Sequence, residues 1–83
     1  MDLDAAVLAL AAAEDAEEAA KLKAASLVAD ARAGVAEARK VRDRAIVDAY
    51  QAGARQRDIV ARTGLTRESV RRILRAGGVE AAE

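Results

Sequence analysis

Apolar residues recur at helical spacing along most of the chain, but their kind changes on the way. From Asp2 to about Ala52 they are mostly alanine, with leucine and valine scattered among them. Only Gly34 interrupts this helix-forming run, at a cost of about 1 kcal/mol relative to alanine. The pattern predicts one long helix of about 48 residues, about 70 Å at 1.5 Å per residue, or two helices meeting near Gly34. Asp2 or Asp4 caps its start, near the positive end of the helix dipole. Beyond Gly34 the large apolar positions are Val35, Val41, Ile46, Val47 and Tyr50, and Gly53 is placed to end the helix as a left-handed C-cap.

Two shorter patterns follow. Ile59 and Val60 face inward on a helix predicted over 55–63; Val70, Ile73 and Leu74 do so at i, i+3, i+4 spacing on another predicted over 66–76. Gly77-Gly78 terminates the last helix, and residues 79–83 are read as a disordered tail. Between the two short helices Gly64 stands where a sharp reversal needs positive φ. Leu65 is expected to plug the angle between them, and Thr66 is a good N-cap for the second. The last helix carries Arg67, Arg71, Arg72 and Arg75. Two helices joined by a short glycine-containing turn form the unit that places a recognition helix in the DNA major groove. The fold class expected is therefore all-α: a long N-terminal Ala-rich helix (residues 1–35) leading into a three-helix helix-turn-helix domain (36–78), then the tail (79–83).

Composition narrows the function. Of 83 residues 53% are hydrophobic, but 24 are alanine, which leaves few large side chains for a core. So thin a core calls for oligomerisation or a bound partner. Without proline, cysteine or histidine the chain has no disulfide framework, no thiolate or imidazole metal site and no nucleophile–His pair. No apolar run approaches the roughly 20 residues of a membrane span. The start, Met1-Asp2-Leu3-Asp4, has no basic segment of a secretory signal, so a cytoplasmic, nucleoid-associated location is expected. Net charge is zero, yet residues 1–30 carry −5 and residues 53–78 carry +5. That asymmetry points to nucleic acid bound at one end.

The segment Arg44–Arg75 resembles bacterial helix-turn-helix DNA-binding domains. It runs through Ala-Ile-Val-Asp-Ala-Tyr-Gln-Ala-Gly, and then through Asp-Ile-Val-Ala-Arg-Thr-Gly-Leu-Thr-Arg-Glu-Ser-Val-Arg-Arg-Ile-Leu. It is most similar to resolvase/invertase-type domains and small actinobacterial regulators, and region 4 of sigma factors shares much of the pattern. The turn glycine, the apolar residue after it and the paired apolar positions of the third helix all match. Two positions depart: Val60 stands where the family usually has Ala or Gly, and Ala54 where it favours Ser or Thr. The N-terminal half carries no such resemblance.

With Val70, Ile73 and Leu74 buried, Glu68, Arg72 and Arg75 point away from the core and Arg67 and Arg71 lie on one flank. Arg67, Arg71 and Arg72 are candidates for base-edge contact, each guanidinium fork on guanine being worth about 1–3 kcal/mol of discrimination. Glu68 either accepts from cytosine N4 or pairs with Arg72. Thr66 and Ser69, at the helix start, suit phosphate or base contact. Arg55, Gln56, Arg57 and Arg75 are read as phosphate contacts.

The N-terminal half is either a solvated helix or one that pairs as a coiled coil with a second copy or another protein. The best seam runs Leu8, Ala12, Asp15, Ala19, Leu22, Ser26, Ala29, Ala33, Ala36, and Asp15 interrupts it. Glu17–Lys21, Arg39–Asp43 and Arg44–Asp48 are expected i, i+4 ion pairs. The function expected is a small sequence-specific transcriptional regulator. It would bind double-stranded DNA as a homodimer, through half-sites about one helical turn apart. The alternatives are an adaptor whose acidic helix binds a polymerase, toxin or segregation partner, and a nucleoid-architectural protein. The acidic helix folding back on the basic domain to compete with DNA is a further option. Paired carboxylates such as Glu14 and Glu18 have no apolar pocket around them, so neither an enzyme nor a cofactor is expected.

Overall fold

The computed structural model describes residues 2–81 and is all-helical, in the order α1 (Leu3–Gln51), α2 (Gln56–Thr63) and α3 (Arg67–Ala76). The run from Leu3 to Gln51 forms one helix that passes through Gly34 without a break. Asp2 is its cap, its Oδ1 accepting from the Ala5 N–H at 2.7 Å. Of the expected i, i+4 pairs on α1 only Glu17–Lys21 forms, at 3.0 Å. Asp43 is taken by its neighbour Arg42, whose Nη2 and Nε reach Oδ1 at 2.8 and 3.0 Å, so Arg39–Asp43 does not form. Arg44–Asp48 is likewise absent among the described residues, whereas Glu37–Lys40 is added at 3.9 Å.

The chain divides into units of residues 1–35 and 36–83. In the first, every described residue is exposed. The seam expected from Leu8 to Ala36 holds only Leu8 and Leu22 of its large exposed apolar side chains; Leu3, Val7, Leu10, Leu27, Val28 and Val35 lie elsewhere on the helix.

In the second unit the last turns of α1 pack with α2 and α3. Ile46, Ile59, Val70 and Leu74 form the core, with Val47, Tyr50, Val60, Leu65 and Ile73 partly buried against it. Each core side chain contributes about 1.5–3 kcal/mol by leaving water. Val35 and Val41, grouped with this apolar face by spacing, remain 52% and 57% exposed.

Local bonds fix the connections. After α1, the Ala54 N–H reaches the Ala49 carbonyl and the Gly53 N–H reaches the Tyr50 carbonyl, the paired hydrogen bonds of a Schellman end. This places the α2 cap at Arg55 rather than Ala54, and its side chain makes no cap bond. Gly64 ends α2 in the left-handed region at φ 74°, its N–H on the Val60 carbonyl at 2.9 Å. Thr63 closes the same turn from the other side. Its hydroxyl donates to the Ile59 carbonyl at 2.7 Å and accepts from the Leu65 N–H at 3.2 Å, which holds Leu65 against the core.

The end of α3 corrects the expectation of a disordered tail. Gly78 takes φ 81°, and the Val79 N–H returns to the Leu74 carbonyl at 2.9 Å. This second Schellman end folds Val79 back, so that Val79 and Ala81 pack against the core. Ala82 and Glu83 lie outside the described residues.

Candidate nucleic-acid interface

Thr66 sets the start of α3. Its Oγ1 accepts from the Ser69 N–H at 3.1 Å and donates to Ser69 Oγ at 2.9 Å. The cap thus engages the Thr66 hydroxyl as both acceptor and donor, and Ser69 is half-buried beside it. These two residues orient the helix start more than they offer free groups to a ligand.

With Val70 and Leu74 fully buried, Arg67, Glu68, Arg71, Arg72 and Arg75 are all exposed. Among the described residues Glu68 forms no ion pair with Arg72, which leaves its carboxylate and that guanidinium facing solvent.

The arginines of α3 fall into three grooves. Arg67 shares one with Arg55, Gln56 and Arg57 at the start of α2 and with Val60 further along it. Arg72 shares another with Lys40, Asp43 and Arg44 of α1, beside Val47 and Ile73. Arg71 and Arg75 line a third with Val79 and Glu80. Cations from α1 and from the start of α2 therefore stand in separate grooves beside α3. Residues 36–81 hold eleven basic side chains against six acidic ones, a clear positive excess for so small a body.

Gln56 is the misplaced member of the expected set. It is only 1% exposed and so mostly part of the packing, although it also lines the groove that holds Arg55, Arg57 and Arg67. The first residue of a helix can point into the body as readily as away from it, and here the neighbours Arg55 and Arg57 take the outward directions. Lys40 and Arg44, in contrast, join the basic surface without having been singled out. Their signal in the sequence was the i, i+4 pair of bases itself, which places both on one helix face.

No group of three or more His, Cys, Asp or Glu side chains among the described residues is arranged to hold a metal ion. Among the described residues no helix is long and apolar enough to cross a membrane. A mostly apolar groove between α1 and α2 is lined by Ala45, Ile46, Ala49, Ala54, Ile59 and Ala61 together with Arg42, Asp58, Arg62 and Thr63. In comparison with known proteins the chain matches no family model, no curated protein and no solved structure.

Proposed function

We propose that this chain is a non-enzymatic, sequence-specific DNA-binding protein, a transcriptional regulator acting at the nucleoid as a homodimer. α3 enters the major groove, and residues 3–35 of α1 pair the copies. The observation that carries the reading is the placement of cations from both neighbouring helices in two separate grooves beside α3: Arg55 and Arg57 with Arg67 in one, Lys40 and Arg44 with Arg72 in the other. A helix seated in the major groove lies between two phosphate walls, and basic side chains in two separate grooves beside it suit contact with phosphates. The exposed edge between them holds Arg67, Glu68, Arg71 and Arg72, the groups with base-reading chemistry.

The resemblance of Arg44–Arg75 to helix-turn-helix domains supports the same reading. Departures at Val60 and Ala54 are absorbed locally. Val60 is half-buried at the edge of the core, and the helix start moves to Arg55.

The test is titration of selected and random duplexes at fixed salt, with Arg67, Arg71 and Arg72 changed singly to alanine. Base reading lowers affinity for the selected duplex more than for the random pool, by about five- to a hundredfold per lost contact. Equal losses on both would assign these side chains to phosphates alone and favour an architectural protein.

A further inference from the structure

We propose that residues 3–35 pair antiparallel with a second copy of this chain, in a register that sets Leu3 of one helix opposite Val35 of the other. The proposal deepens the homodimer part of the reading above and rests on it; DNA contact is not needed for it.

Five of the large apolar side chains that α1 exposes share one line. Leu3, Val7, Leu10, Val28 and Val35 are between 49% and 78% exposed and repeat at alternating three- and four-residue steps over sevenfold periods. That spacing is the seam of a left-handed helix pair. Between Leu10 and Val28 the same positions hold Glu14, Glu17, Lys21 and Ala24. A charged stretch in the middle of an apolar seam is costly unless its charges meet opposites.

The direction of the second helix decides that. In a parallel pair Glu14 meets Glu14, Glu17 meets Glu17 and Lys21 meets Lys21, three layers of like charge. In the antiparallel pair Leu10 faces Val28, Val7 faces Ala31, Glu14 faces Ala24, and Glu17 faces Lys21 of the second copy, twice by symmetry. Glu17 and Lys21 already lie 3.0 Å apart within one helix, so pairing makes a cluster of two acids and two bases. On one flank Asp4 comes opposite Arg32. On the other Ala6 meets Gly34 and Ala20 meets Ala20, small residues that let the helices approach. Glu18 approaches its own symmetry mate, the single like-charge contact of this arrangement, and Glu14, opposite Ala24, is the one seam charge that meets no opposite. The two chains leave the pair at opposite ends.

Cysteine cross-linking reads the direction in the full chain, which has no cysteine of its own. A mixture of L10C and V28C chains is expected to form a disulfide-linked dimer on mild oxidation, while neither variant alone does so. Cross-linking of L10C with itself would overturn the proposal in favour of a parallel pair. A chain that sediments as a monomer at all concentrations would overturn it too, leaving this apolar line to a different protein.

Charge reversal supplies a second readout. E17K or K21E alone is expected to weaken dimerisation about tenfold, because two attractions become two repulsions, and the double variant restores it. Equal dimerisation by all three variants would contradict the register. Far-UV circular dichroism on each variant separates loss of pairing from loss of helix. Because these measurements contain no DNA, they fail or succeed independently of the duplex titrations.

Discussion

Gly77 and Val47 touch so closely that a side chain at the glycine has no room. A Cβ built on Gly77 would lie 2.6 Å from Cγ2 of Val47, well inside van der Waals contact. The end of α3 therefore packs on α1 through bare backbone. G77A is expected to cost about 1–3 kcal/mol of stability, as overpacking does. V47A, by removing the obstructing methyls, should recover part of that loss in the double variant. Urea denaturation of the four combinations measures the coupling. G78A costs about 1–2 kcal/mol for a different reason, its φ of 81°, and V47A brings it no relief.

The Thr66 cap gives a second expectation. T66A removes the acceptor for the Ser69 N–H and should destabilise the fold by about 1 kcal/mol, while T66S keeps the bond. S69A retains the capped N–H and is expected to stay within about 0.5 kcal/mol of the parent. Thermal unfolding of the three variants makes the comparison.

Gln56 and Arg57, adjacent in sequence, should behave as opposites. Q56K forces a charge into a site 1% exposed and is expected to cost on the order of 3 kcal/mol or more, enough to unfold the three-helix unit. R57A leaves the melting temperature nearly unchanged and weakens duplex binding. If Q56K folded normally and bound DNA more tightly, Gln56 would have to be returned to the phosphate-contacting set.

Lys40 and Arg44 test the breadth of the basic surface. The double change K40A/R44A is expected to weaken selected and random duplexes alike and to reduce the slope of log affinity against log salt by about 2. A change in sequence preference without a change in slope would argue that these residues do not meet phosphates.

Much of the fold was legible because its signals are local. Thr66 and Gly64 announced a cap and a left-handed turn by residue type alone, and both are found. Val70 and Leu74 announced a buried stripe by spacing, and both are fully buried. Gln56 was misjudged because polarity says nothing about direction at the first residue of a helix. The packing of Val79 was missed because it depends on a backbone reversal at the preceding residue, Gly78, which a Gly-Gly pair permits without specifying. Thr63 was overlooked since its hydroxyl acts only once the turn exists.

The amino-acid order by itself determined the helices and their ends, though not the continuity of the first through Gly34, since alanine content, cap residues and glycines act over a turn or two. It also determined the uneven charge, from an acidic start to an arginine-rich end. Which cations stand beside α3 was decided by tertiary structure, because Lys40 and Arg55 approach Arg72 and Arg67 only when α1, α2 and α3 close on Ile46, Ile59, Val70 and Leu74. Electrostatic neighbourhood depends on distance in space, and distance in space is set by packing.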